Sequence, residues 1–115
     1  QRVGAICEAI ERRREELGKT SGFERLYHKV VAHYFGGMAR HFAMLREKLK
    51  PGARCAYVVG DQLSFLLVPI PTASLLGEIA EEHGLAVAGC DLWRTRLGTK
   101  SGTRVREEVL ILQKR

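Results

Sequence analysis

The sequence predicts an α/β protein, because segments with helical and strand-like patterns follow one another along its 115 residues. Apolar residues recur at helical spacing in residues 1–17 and again in residues 23–50, so we expect two helical stretches there. A short run of strand-forming residues follows at 54–59, and two similar runs come later in the chain. Helices alternating with strands in this way are typical of a sheet with helices packed on it.

The first 50 residues are predicted to be helical, and residues 51–115 are predicted to form a strand–helix–strand–strand unit of the same single, partial domain. Residues 18–22 contain two glycines and should break the helical pattern. Gly36-Gly37 lies inside the second helical stretch, where each glycine costs about 1 kcal/mol relative to alanine. This pair predicts a kink or a close approach to a neighbouring group. The first residue is Gln and not Met, so we expect that the chain begins partway through a longer one.

Three strands and one helix are predicted in the second part of the chain. Pro51-Gly52 ends the helical stretch, and Gly60-Asp61 ends the first strand. Thr72 is a suitable N-cap for a helix over residues 73–83. The second strand is expected at residues 85–93 and the third at 107–113, with a basic connector between them. A helical crossover predicts that the first two strands run in the same direction, and the short connector makes the third antiparallel to the second.

The loop between the first strand and the following helix is the first candidate for a site, because α/β proteins place ligands where a strand opens into a loop and a helix. Gly60, Asp61 and Gln62 are predicted to line a substrate pocket there. Asp61 is equally consistent with a turn residue that caps backbone amides. Tyr57 and Trp93 are predicted to belong to the core and not to stack on bases.

The net charge of +6 permits contact with nucleic acid without requiring it. Five basic residues of the connector could bind phosphates or could simply be solvated, namely Arg94, Arg96, Lys100, Arg104 and Arg106. The three cysteines are far apart in sequence, and Cys55 and Cys90 are predicted to be small buried thiols. We expect no metal site, no membrane span and a reducing, cytoplasmic setting.

Several segments, in this order, resemble the C-terminal half of class I S-adenosylmethionine-dependent methyltransferases. They are Tyr34-Phe35-Gly36-Gly37-Met38, Leu49-Lys50-Pro51-Gly52-Ala53-Arg54, Tyr57-Val58-Val59-Gly60-Asp61, Ile70-Pro71 and Arg106-Glu107-Glu108-Val109-Leu110. Within that class, the combination is most similar to DNA modification methylases that methylate the amino group of adenine or cytosine. The resemblance implies a Rossmann-like, three-stranded mixed sheet with flanking helices, in which the last strand inserts antiparallel between the two before it.

Two motifs of the family are missing from this chain. The glycine-rich loop for S-adenosylmethionine does not occur in it, and neither does the Pro-Pro-Tyr-type motif that holds the target amino group. The chain is therefore expected to be inactive alone and to hold no assignable catalytic residue. It would use the cofactor through a missing N-terminal half, in the same or another chain, with DNA as partner.

Two alternatives remain open at this point. The chain could be a non-catalytic basic α/β module that binds nucleic acid or a partner subunit. It could also belong to an RNA or small-molecule methyltransferase of the same fold. If the fourth strand of the family's sheet is absent, the first strand here has an unpaired apolar edge, which predicts strand pairing, a homodimer or poor solubility.

Overall fold

The computed structural model describes residues 2–19, 22–62, 65–66, 68–97 and 104–115. Within these ranges, the chain forms three α-helices and three strands, with one short 3₁₀ turn. In order, these are α1 (Arg2–Glu16), the 3₁₀ turn (Phe23–Leu26), α2 (Tyr27–Lys48), β1 (Arg54–Gly60), α3 (Thr72–Glu82), β2 (Leu85–Leu97) and β3 (Arg104–Lys114). The α/β class predicted from the sequence is confirmed.

Helix α2 is continuous through Gly36-Gly37 and does not divide there. A Cβ atom built on either glycine would meet only the side chain of Arg40, at 3.7 and 3.8 Å. The pair therefore does not interrupt the helix, and no close approach to it by a neighbouring element occurs within the described part of the chain. A kink at the pair stays a prediction.

The sheet has the order β1-β3-β2, so the last strand lies in the centre. Both pairings are antiparallel, with Tyr57 opposite Leu110 on one side of β3 and Cys90 opposite the same residue on the other. Strands β1 and β2 therefore run in the same direction, as predicted, and β3 is antiparallel to β2, as predicted. The expectation of a mixed sheet is wrong, because β3 separates the two strands that share a direction and every described pairing is antiparallel.

Strands β2 and β3 are longer than predicted. The basic connector expected at residues 94–106 is largely strand, because β2 continues to Leu97 and β3 begins at Arg104. The pairing of β1 ends at Gly60–Glu107, whereas β2 and β3 stay paired as far as Leu97–Arg104. The two-stranded extension pairs residues 95–97 with 104–106. We call this extension, together with Arg94 from the row before it (residues 94–97 and 104–106), the basic ribbon.

The helices pack on one face of the sheet. The ring of Tyr57 on β1 meets Phe42 of α2 edge to face, with ring centroids 5.7 Å apart. Gly77 of α3 sits close over the sheet, since a Cβ there would come within 3.1 Å of Val87 Cγ2. On β1, the residues facing the other way, Ala56 and Val58, are exposed. The largest fully buried side chains are Phe42, Ile10, Leu75, Leu76, Leu85, Leu110 and Leu112.

None of the helices in the described ranges combines the length with the apolar composition that a bilayer crossing requires.

Candidate functional site

A cleft opens at the carboxyl end of β1, between that edge strand and α2. Its volume is about 420 Å³, which lies within the usual range for small-molecule sites. The walls come from α2, from the end of β1 and from the loop that leads to α3. The lining residues are Val30, Val31, Tyr34, Phe35, Val58, Val59, Gly60, Gln62, Phe65, Ile70 and Thr72.

Backbone hydrogen bonds fix the loop that borders the cleft. The amide of Gln62 donates to the carbonyl of Ile70 at 3.1 Å, and the amide of Ile70 donates back to Gln62 at 2.9 Å. The Asp61 amide donates to the carbonyl of Arg106 at 2.8 Å, which ties the loop to β3. Leu66 has a φ of 58°, a left-handed conformation that branched side chains rarely adopt. A strained residue in an otherwise pinned loop is a common feature of functional sites.

Asp61 lies beneath the start of α3. The backbone amide of Thr72 hydrogen-bonds to its carboxylate, although burial and the nearby Glu108 carboxylate together raise the pKa of Asp61 above its usual range. The residue before the helix, Pro71, offers no side-chain cap. Asp61 therefore supplies the acceptor that the helix N-terminus needs.

The three residues predicted to contact substrate are thus divided by the structure. Gly60 and Gln62 line the cleft, and Asp61 is directed to the helix amide. The Thr72 side chain also lines the cleft, and Thr72 is the first residue of α3 rather than its cap. Contact of these residues with a substrate remains a prediction.

Sequence reasoning missed the wall that α2 contributes. Tyr34 and Phe35 lie side by side on it, with ring centroids 5.0 Å apart, and Phe65 faces it from the loop. Burial raises the pKa of Tyr34, so its hydroxyl stays protonated at neutral pH. The sequence signal that could have located this wall is the pair of adjacent aromatic residues on a helix that precedes a strand. Aromatic and aliphatic walls with few polar groups suit a flat, uncharged ligand.

The basic ribbon is less positive than its arginines suggest. Arg94 Nε lies 3.1 Å from Glu107 Oε1, and Arg106 Nη2 lies 3.5 Å from Glu108 Oε2. Both arginines are exposed, and such pairs contribute only about 0–1 kcal/mol, so phosphates can displace them. Arg96 and Arg104 belong to the ribbon by register, and Lys100 lies outside the described residues.

The two aromatic residues assigned to the core have different environments. Tyr57 is half-buried and packs against the core, as predicted, and its hydroxyl lies 2.7 Å from His41 Nε2. Trp93 is 57% exposed, so its predicted place in the core is wrong. It lies on β2 beside the last row that all three strands share, in which Arg94 and Gly60 flank Glu107.

Cys90 is also exposed, contrary to the prediction of a buried thiol. Its Sγ lies 3.3 Å from Glu108 Oε2 and can donate to that carboxylate. Partial burial and the Glu108 carboxylate raise the pKa of Cys90 to about 11. Cys55 is half-buried. Within the part of the chain that the structure describes, no group of His, Cys, Asp or Glu side chains could hold a metal ion.

No protein-family model, curated protein or solved structure matches this chain. The case for a function therefore rests on the residues and on the geometry described above.

Proposed function

We propose that this chain is the C-terminal half of a class I S-adenosylmethionine-dependent methyltransferase that methylates the amino group of a DNA base. The observation that carries the proposal is the strand order β1-β3-β2, with α3 connecting the two outer strands. The resemblance seen in the sequence implies this insertion of the last strand. A sheet in which a third strand lies between two strands joined by a helical crossover is a more specific feature of a fold than membership of the α/β class.

The cleft supports a base as substrate. Tyr34, Phe35 and Phe65 offer apolar and aromatic surface to a planar ring, and the Gln62 amide can both donate and accept hydrogen bonds. No charged side chain lines the cleft within the described residues. A neutral heterocycle matches that lining better than a phosphate or a carboxylate does. A base inside a duplex would have to be flipped out to enter.

The methyl donor does not fit the described residues on their own. S-adenosylmethionine carries an ammonium group, a carboxylate and ribose hydroxyls, which need charged and polar partners. Among the described lining residues, the polar side chains are those of Tyr34, Gln62 and Thr72. We therefore propose that the missing N-terminal half binds the methyl donor and that this chain forms the substrate side of the site.

The open edge of β1 is where that half would join. β1 is an edge strand whose one described neighbour is β3, and Val58 on it is 59% exposed. Unpaired strand edges readily accept a further strand. We propose that a strand of the missing half pairs with β1, and that a homodimer through the same edge forms when that half is absent.

The test is methyl transfer by the chain together with the sequence that its coding frame carries upstream of Gln1. Transfer of labelled methyl groups from S-adenosylmethionine to the amino group of a base in duplex DNA is expected. Tyr34→Ala, in the cleft wall, should lower this transfer, whereas Met44→Ala on the same helix outside the cleft should not. Absence of both donor binding and transfer, or equal effects of the two variants, would refute the proposal.

A second candidate function is a non-catalytic module that binds nucleic acid. It is favoured by the position of the arginines, since the basic ribbon lies within this chain whereas the groups for the donor do not. The chain alone would then bind DNA without a donor, and no upstream sequence would add methyl transfer. The third possibility is a methyltransferase that acts on RNA or on a small molecule. Testing RNA and small-molecule acceptors in the same transfer assay distinguishes it from a DNA methyltransferase.

A further inference from the structure

The feature that the proposed function leaves unexplained is an exposed tryptophan beside the basic ribbon. Trp93 is 57% exposed and the neighbouring Leu92 is 50% exposed. Trp93 is the only tryptophan in the chain. Single exposed apolar residues are common, but a large aromatic ring set next to arginines has the composition of a nucleic-acid contact.

A β-bulge lies at this residue. In the ladder between β2 and β3, Leu92 is opposite Glu108 and Arg94 is opposite Glu107, so Trp93 is the extra residue without a partner in the register. Bulges bend a strand and redirect one side chain, and they are frequent next to functional sites. Trp93 therefore combines an irregular backbone position with an exposed aromatic ring.

Arg94 covers part of the indole. Its guanidinium carbon lies 4.5 Å from the ring centroid, a cation–π distance. Its Nε also lies 3.1 Å from Glu107 Oε1, which anchors the guanidinium on the ribbon. The contact restricts the rotation of the ring before any ligand arrives, and Trp93 stays 57% exposed. Such preorganisation lowers the entropy that binding would otherwise cost.

Trp93 lies at the same end of the sheet as the cleft. Gly60, Glu107 and Arg94 occupy one row across the three strands. Two strand spacings, about 10 Å, therefore separate the end of β1 from the bulge. A nucleic acid that placed one base in the cleft would pass the ribbon with its neighbouring nucleotides.

We propose that Trp93, backed by Arg94, is a stacking platform for an unstacked base of a single-stranded nucleic acid segment, with the arginines of the basic ribbon on its phosphates. The proposal rests on the nucleic-acid substrate proposed above, but not on methyl transfer. The chemistry is that of aromatic platforms in general, which accept any base because every base presents a flat face.

The fluorescence of Trp93 tests the platform directly. Titration of the chain with a fluorescein-labelled single-stranded oligonucleotide at low salt should give anisotropy-detected binding and parallel quenching of the tryptophan. Trp93→Ala should weaken binding about 5- to 150-fold. Trp93→Leu, which keeps an apolar group but no ring, should bind as weakly, and Trp93→Phe should recover part of the affinity. Because the residue is exposed, these variants are expected to fold, which circular dichroism would check.

The salt dependence separates stacking from charge. Trp93→Ala should leave the slope of log K against log salt unchanged, whereas Arg106→Gln should lower it by about 0.7 if that side chain contacts a phosphate of a single strand. Binding without quenching, equal affinity of the Ala and wild-type proteins, or quenching by anionic vesicles but not by the oligonucleotide would overturn the platform.

The two proposals can fail separately. Oligonucleotide stacking on Trp93 without methyl transfer by the longer protein would leave the platform standing and refute the methyltransferase proposal. Methyl transfer by the longer protein, with the same KM for DNA in wild type and Trp93→Ala, would support the methyltransferase proposal and refute the platform.

Discussion

Phe42 should be the residue on which the position of α2, and with it the cleft wall, most depends. Its side chain is 0% exposed, and its ring meets Tyr57 of β1 at 5.7 Å. A buried aromatic side chain removes about 150–250 Å² from water. At about 25 cal/mol per Å² this area corresponds to about 4–6 kcal/mol, part of which alanine would keep. We therefore expect Phe42→Ala to lower the free energy of unfolding by about 3–5 kcal/mol.

Urea denaturation followed by circular dichroism measures this loss. With a slope of about 1.5 kcal/mol per M, the midpoint should fall by about 2–3 M. Phe42→Leu keeps most of the apolar volume and should lose only about 1–1.5 kcal/mol. Met44→Ala, on the same helix but 68% exposed, should change the stability by less than about 0.5 kcal/mol. Equal losses for Phe42→Ala and Met44→Ala would show that α2 does not pack on the sheet through Phe42.

Three further predictions follow from the charges and edges described above. Because the pKa of Asp61 is raised in the folded protein, the unfolded chain ionises first as pH rises above about 3.9, and stability falls through that window. Asp61→Asn, which keeps an acceptor for the helix amide, should therefore be more stable than wild type at pH 7 but not at pH 3. A urea midpoint at pH 7 below that of wild type would contradict this. With a pKa of about 11, the Cys90 thiol should react slowly with iodoacetamide at pH 8 and much faster towards pH 11. Glu108→Gln should speed the reaction at pH 8, as followed by mass spectrometry, and an unchanged rate would argue against the role of the carboxylate. Val58→Lys, at the open edge of β1, should convert dimers to monomers in light scattering, with Met44→Lys as the control that leaves them intact. If wild type is monomeric at all concentrations, the edge does not pair.

The element types were predictable, whereas the extent of the strands was not. The 3.6-residue spacing of apolar residues located α1 and α2, and Pro51-Gly52 marked the end of the second helix. Residues 94–97 and 104–106 are rich in arginine and carry no strand pattern. They are strand because each pairs with the other across the ladder, and pairing partners are a tertiary property.

The candidate site was predictable only at its loop. Gly60 and Gln62 line the cleft as expected for the end of a strand, but Tyr34 and Phe35 reach it from a helix that is distant in sequence. Trp93 was misassigned for a related reason. Its apolar character predicts burial, whereas it lies exposed at a bulge whose place depends on the register between two strands, which no local pattern reveals.

The central position of β3 sets the order in which this protein can fold during synthesis. Within the described ranges, β1 and β2 have no hydrogen-bonded neighbour in the sheet other than β3, and β3 is the last of the three strands to leave the ribosome. A nascent chain that ends before Arg104 therefore carries two strands that cannot pair with each other in the native arrangement, together with an amphipathic helix, α3, whose apolar face lacks the central strand of the sheet it covers. Until β3 emerges, these surfaces are open to chaperones and to other nascent chains.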